Sequence, residues 1–387
     1  MNPPLKILLA LPTLRKVRWL FVPALMGLIG GCSSLSLQHV VADQSQGWFQ
    51  WGGNPSRTAA TDAILQWPLE LKWRYRSSAA VMPSLLVQDQ LVFITSMDGK
   101  QESLRLSDGK SYGSIRWRGG IPFTLAVSGN KLILLRRLGD KNLQCYDLVT
   151  GHTDWRKTVG PCLSEPLIVA DRIYITTVHG RLSAYGQADG REVASAQLKN
   201  PTQSTPCFTQ ERIIVTDDQG LVQAFTSDLH PLWSYKSTPS IRATPAAAGN
   251  AVYLGNTAGQ FFALDVDHGT RLWQISVPGG IHQSAAVNDS LVAFGCTDHH
   301  LYVCQAKNGD IRWRFQTAAP ISTTPLICGN AVLVGSMDKT LYAVELASGR
   351  QIWSFTAAGR WRGSPVIAQG RLLCAAEDDD LYCFGAP

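Results

Sequence analysis

Several groups of side chains in this 387-residue chain have types and spacings that could do chemistry. Glu377, Asp378, Asp379 and Asp380 place four carboxylates in a row, enough oxygen to attract a hard cation. They lack the glycine-punctuated spacing of a calcium loop and sit between two short apolar runs, so a solvated hairpin turn is the stronger reading. Asp298, His299 and His300 offer a carboxylate and two imidazoles, but adjacent histidines on a turn point apart and rarely share one metal. No Ser/His/Asp arrangement and no phosphate-binding glycine loop occurs. No catalytic residue, metal ligand or cofactor is therefore assigned. What remains is recognition chemistry. Trp361 stands between Arg360 and Arg362, and Arg242 and His282 occupy related positions upstream. Tryptophan and arginine are the side chains most enriched at interface hot spots. The competing reading pairs these arginines with Asp217, Asp218 or Asp378 across a rim.

The elements that must position these groups follow one pattern. Residues 324–355 read as four short strands of β-branched, aromatic and aliphatic residues, broken by turn signals at Gly329-Asn330, Met337-Asp338-Lys339 and Ser348-Gly349. The pattern recurs every forty residues. Trp233, Trp273, Trp313 and Trp353 keep this spacing, as do Gly269, Gly309 and Gly349, and Leu221, Phe261, Leu301, Leu341 and Leu381. Strand openings fall at Pro83, Pro122, Pro166, Pro206, Pro245, Ala285, Pro325 and Pro365. A four-stranded repeat of this period predicts an all-β, eight-bladed β-propeller of antiparallel blades. The last repeat stops at Phe384 without its fourth strand, and LKWRY at 71–75 matches the missing one. An N-terminal strand is thus expected to close the last blade and remove an exposed edge. One tryptophan per outer strand is better read as packing between blades than as a stacking surface. Blade three lacks it, and blade two carries an expanded hairpin at 136–141.

Residues 1–31 read as a targeting segment. Lys6, Arg15, Lys16 and Arg18 precede an apolar run at 19–29 that is too short for a secure membrane span. The run ends Ile29-Gly30-Gly31-Cys32-Ser33, which resembles the lipobox of bacterial lipoproteins; the resemblance implies cleavage before Cys32, lipidation on it, and, with Ser33 following, delivery to the outer membrane. The alternative is an ordinary secretory signal. The whole chain carries +6, but four of its 35 basic residues and none of its 29 acidic ones lie before Cys32, leaving +2 on the remainder. That gives no electrostatic case for nucleic acid. Residues 32–47 are expected to form a polar tether and 48–387 the propeller. WFQWGGNPSRT at 48–58 is either an aromatic ligand platform or, as its turn signal at 52–55 favours, a plug packed beside blade eight.

LYAVELASGRQIW at 341–353 and FALD at 262–265 with GTRLW at 269–273 resemble the quinoprotein-type propeller repeat, over about 71–384. That repeat occurs in quinone-dependent dehydrogenases and in non-catalytic propellers alike, so it is informative for fold and poor for function. With the lipobox and chain length, the chain most resembles the propeller lipoprotein of the bacterial outer-membrane β-barrel assembly machinery. The resemblance implies a monomeric, lipid-anchored protein at the periplasmic face of the outer membrane, acting as a protein-interaction scaffold in outer-membrane assembly or envelope maintenance. The alternative is a quinone-dependent dehydrogenase. Such relatives need calcium, a carboxylate base and often a vicinal Cys pair; here no cysteines are adjacent, and Glu165 is the only acid at the strand entrances facing the funnel. In the assembly lipoprotein, partner contact is carried by Leu/Arg and Asp residues in the loops before the fourth and fifth inner strands. Those loops here read KNPTQST (199–205) and STPSIR (237–242), with Ser240 and Arg242 where acids would stand.

Eight cysteines follow Cys32: 145, 162, 207, 296, 304, 328, 374 and 383. An even count in an oxidising compartment suggests disulfides. Cys207 and Cys328 lie on separate blades, and a two-residue turn at Asp298-His299 sets Cys296 opposite Leu301, away from Cys304. These read as small buried apolar residues. A two-residue turn at Asp378-Asp379 would instead pair Cys374 with Cys383, about 4.5–5.5 Å apart at Cβ against the roughly 3.5–4.5 Å that a disulfide wants. The choice there is between a strained bridge and two neighbouring thiols.

Overall fold

The computed structural model describes residues 47–116 and 123–387. The expected targeting segment, Cys32, nearly all of the tether and the opening at Pro122 lie outside them. Among the described residues every regular element is a strand, and the strands form eight sheets, each built on a four-stranded antiparallel blade, arranged as a β-propeller. Blade 5 is representative, with Ala246–Ala248 innermost, then Ala251–Gly255, Gln260–Asp265 and the outer Arg271–Ser276. Its second strand is buried throughout and its third nearly so, because both faces pack on neighbouring blades; the outer strand is largely exposed.

The turn between second and third strands sets register. In seven blades it has three residues, closed by a hydrogen bond such as Ala376 N–H to Asp380 O (3.0 Å) or Cys296 N–H to His300 O (3.0 Å). The third residue is left-handed. Gly99, Gly180, Gly220 and Gly259 fill that place in four blades, and His299, Lys339 and Asp379 in three, with φ between +66° and +81°. A three-residue turn ending in this conformation is a standard hairpin connection. The two-residue turns expected from sequence are therefore one residue too short. Cys374 lies opposite Tyr382 and Cys383 opposite Leu373. A one-residue offset puts the two sulfurs on opposite faces of the sheet, which corrects the expected pairing. In the same way Gly295, not Cys296, faces Leu301.

The seams between blades are built on the repeated tryptophans. Each indole N–H donates to a backbone carbonyl of the next blade: Trp73 to Leu106, Trp155 to Gln187, Trp233 to Val266, Trp273 to Ala306 and Trp313 to Leu346, at 2.8–3.0 Å. Each ring lies over a glycine of that blade, Gly109, Gly190, Gly269, Gly309 or Gly349, so closely that an added Cβ would fall 2.3–2.8 Å from ring atoms. In the seam from blade three to blade four the volumes are exchanged: Ala194 stands in the tryptophan's place and a buried Leu229 in the glycine's. Blade 1 also lacks the tryptophan, having Gly113.

Glu70–Arg76 pairs antiparallel with Asp380–Gly385 and completes blade 8, as the repeat pattern requires. Trp353 donates to Leu69 O (2.9 Å), so the N-terminal segment also supplies the carbonyl for that blade's seam. The carboxylate run at 377–380 belongs to this closure. Asp380 is buried and bound by Arg76 (3.0 Å) and Arg74 (3.7 Å) of the closing strand, and Asp378 accepts the Tyr382 hydroxyl (2.7 Å) and Gly359 N–H (3.2 Å). It is a clasp, not a solvated turn.

Two glycines separate backbone strain from packing. Gly370 has φ +70° with nothing within 4 Å of an added Cβ, whereas Gly269, at φ +69°, would meet the Trp233 ring at 2.3 Å. Gly370→Ala should cost about 1–2 kcal/mol of stability for the left-handed backbone. Gly269→Ala should lose a further ~1–3 kcal/mol from overpacking. Urea unfolding midpoints of the two variants check this difference; equal losses would mean that the seam adds nothing.

Candidate functional site: the funnel and its two mouths

A propeller leaves one open strand edge per blade facing its axis, and each edge needs hydrogen-bond partners. Residues 47–61 supply them while running once around the inside of the ring. Gly47–Trp48 pairs antiparallel with blade 1. Phe49 O accepts Val127 N–H from blade 2, and the Gln50 amide both accepts Ile168 N–H (3.0 Å) and donates to Ile168 O on blade 3. Pro55 O takes Phe208 N–H, Ser56 O takes Ala247 N–H, and Thr58 O takes Val287 N–H on blades 4, 5 and 6. Ala60–Thr61 then pairs parallel with Leu326–Cys328 of blade 7. The segment is a plug, as its turn signal favours, but it lies within the ring along seven blades, not beside the eighth alone.

Arg57 fastens the plug. Its side chain is fully buried, with its guanidinium donating to the carbonyls of Trp51, Pro166 and Pro206 and lying 5.9 Å from the Trp51 ring. Burial lowers its pKa to about 10, against the opposing pull of Glu165. Glu165 itself accepts hydrogen bonds from Ser84 of blade 1 (3.1 Å) and Thr205 of blade 4. The one carboxylate among the funnel entrances is thus tied to the ring's hydroxyls and lies in the field of a buried arginine.

The plug divides the funnel into two unlike mouths. On the side where inner strands end, it floors a bowl of about 860 Å³, whose lining includes Phe49, Asn54, Ile64, Ile168 and Ile367. On the other side, where inner strands begin, the loops place Arg242, His282, Ser322 and Arg362 at the same repeat position of blades 5 to 8. Arg242, His282, Arg360 and Arg362 are exposed there. Partial desolvation lowers the His282 pKa, helped by the positive charge of Arg242. Arg360 reaches Glu377 only at 4.0 Å, and among the described residues no ion pair forms to Arg242 or Arg362. Asp217, a partner the sequence suggested for them, instead accepts Asn200 (2.8 Å) and its own turn's N–H groups, and Asp378 is held by Tyr382.

Trp361 does not join that surface. It is 1% exposed, donates its indole N–H to Lys339 O (2.9 Å) and packs on Phe355 and Tyr382. Its Cβ sits over Gly335 as Ile321 sits over Gly295 and Ile281 over Gly255. The forty-residue register with Ile241, Ile281 and Ile321 marks it as this blade's buried residue. Flanking residues of an extended segment point the other way, so burying Trp361 turns Arg360 and Arg362 outward. His300 turns its Nδ1 to Asp298 O (2.9 Å), and the Asp298 carboxylate accepts Tyr302 (2.5 Å). No group of three metal-ligating residues gathers among the described residues.

The sequence profile of a family described as outer membrane protein assembly factor BamB matches residues 139–294, 263–356 and 297–386. The chain belongs to this family. No curated protein matches the sequence. Among solved structures, BamB from Moraxella catarrhalis is similar at TM-score 0.69 and 15% identity, covering 82% of this chain and 100% of that one. The quinohemoprotein alcohol dehydrogenase from Comamonas testosteroni is similar at TM-score 0.73 and 13% identity, covering 89% and 82%. The computationally designed Ika8 protein matches at TM-score 0.72 and 14% identity, covering 80% and 98%. These likenesses establish a shared propeller fold.

All eight described cysteines are buried and unbridged. Burial pushes the thiols of Cys145, Cys162, Cys207, Cys304 and Cys383 up to about 12, so they stay neutral well above physiological pH. A thiol reagent at pH 8 should find none of the eight in the native protein and all eight after denaturation without reductant. Fewer on denaturation would mean a bridge.

Proposed function

We propose that this protein is a non-catalytic lipoprotein, anchored through Cys32 at the periplasmic face of the outer membrane, which acts as a protein-interaction scaffold in outer-membrane protein assembly. The observation that carries this reading is the plug. The chain fills its own funnel axis with residues 47–61 and commits Glu165 to Ser84, Thr205 and the field of Arg57. A quinone-dependent dehydrogenase would need that carboxylate free to serve as base or cation ligand. Membership of the assembly-factor family and the lipobox-like 29–33 support the same reading. The exposed surface around Arg242, His282, Arg360 and Arg362 is the partner-binding region.

Two measurements test it. Membrane fractionation and mass spectrometry of the mature protein should find acyl chains on Cys32, and Cys32→Ala should abolish them and leave the chain uncleaved at this site. Cross-linking in cells should capture the outer-membrane barrel insertase or its partners. An unacylated wild-type protein, or calcium- and quinone-dependent oxidation of alcohols by the purified chain, would overturn the proposal.

A further inference from the structure

The outer strand of each blade ends its sheet, so a row of backbone N–H and C=O groups along it pairs with no other strand among the described residues. Charged side chains and proline on such an edge discourage another chain from adding to it. Seven of the eight outer strands carry at least one charged residue, from the lone Glu192 of blade 3 to Lys72, Arg74 and Arg76 of blade 8. Blade 7 is the exception. Its outer strand Gln351–Thr356, QIWSFT, has no charged residue, no proline and no glycine. Ile352, Trp353, Phe355 and Thr356 are β-branched or aromatic, the types that favour extended backbone. Past the bulge at Ile352 the strand is regular, with Trp353, Ser354, Phe355 and Thr356 opposite Ala343, Tyr342, Leu341 and Thr340. Gln351, Ser354 and Thr356 are exposed, whereas Trp353 and Phe355 are half-buried and pack on Phe384 of blade 8. Arg350 stands just before the strand and reaches back to Glu345 of its own turn (3.7 Å).

We infer that the outer edge of blade 7 receives an extended, uncharged segment of a partner protein, which adds to the blade as a further strand. The inference rests on the scaffold reading and names the chemistry of what the scaffold holds: a β-strand that has not yet found its own partners. The row of backbone groups selects this occupant, because an extended main chain satisfies alternating donors and acceptors along its whole length. The lack of charge on Gln351–Thr356 selects the composition, since a charged side chain laid along the strand meets no counter-charge on it. Hydroxyl and β-branched side chains of the incoming strand instead match Ser354 and Thr356 as cross-strand neighbours. The other seven edges offer the same backbone without the neutrality.

The test uses the full chain carrying Cys32→Ala, so that acyl chains do not interfere. Its binding to a fluorescent peptide of alternating Thr and Val is compared with binding to the same peptide N-methylated at every residue, which keeps the side chains and removes the backbone donors. The unmethylated peptide should bind at least about tenfold more tightly. It should also slow amide hydrogen exchange within Gln351–Thr356. Ser354→Lys, which puts a charge on the edge, should weaken its binding at least about tenfold. Ser234→Lys, at the same repeat position on the outer strand of blade 4, should leave it unchanged. Circular dichroism melting checks that both variants fold; if either does not, the peptide pair and the exchange map decide alone. Equal affinity for the two peptides, protection elsewhere than Gln351–Thr356, or an equal loss in the two folded variants overturns the inference. So does a concentration-dependent dimer in analytical ultracentrifugation that Ser354→Lys abolishes, because a second copy would then hold the edge. The titration involves no acylation and no envelope partner, so its failure is separable from failure of the anchored-scaffold reading.

Discussion

The contact on which the ring depends is an indole laid over a glycine. A propeller blade has no interior of its own; its two faces become core only against its neighbours. The Trp–Gly seam fixes that stacking by two demands at once. The glycine must be left-handed to turn from the third strand to the fourth, and it must lack a Cβ to let the ring approach. The indole N–H then finds a carbonyl near the same turn, so burial of a large aromatic leaves no polar atom without a partner. Where the chain departs from this, it keeps the volume and moves it: Leu229 replaces the glycine and Ala194 the tryptophan.

Closing a ring of such seams leaves two sets of unsatisfied groups, the strand missing from the last blade and the open edges around the axis. One N-terminal stretch answers both. Residues 47–61 pair around the inside, and Glu70–Arg76 completes blade 8 and binds Asp380 through Arg76 and Arg74. Neither task is separable from the ring, because the plug's partners come from seven blades. The buried Arg57 follows the same logic: its cost of desolvation is met by three carbonyls, two of them from blades 3 and 4, so it is satisfied only when those blades are in place.

Much of this architecture is legible in the amino-acid sequence. Forty-residue spacing of Trp233, Trp273, Trp313 and Trp353 announces the repeat, and the unmatched LKWRY at 71–75 announces the closure, because both are periodic signals within one chain. What is not legible depends on geometry finer than the period. His299 and Asp379 adopt the left-handed conformation where four other blades use glycine, so their turns read one residue shorter than they are, and the expected cysteine register slips with them. Trp361 reads as an exposed hot spot because of its arginine neighbours, although its alignment with Ile281 and Ile321 places it inward. Arg57 carries no periodic signal at all. Its burial is a property of the axis, which exists only once the ring is closed.

The plug also makes the two ends of the funnel chemically different. An empty eight-fold ring would present similar mouths, distinguished only by their loops. Here one end is floored by the plug's uncharged residues, beside Gly47, and the other exposes Arg242, His282, Arg360 and Arg362 over a neck where Glu165 is held by its hydroxyl partners. The same burial of Trp361 that removes it from the surface holds Arg360 and Arg362 upon it.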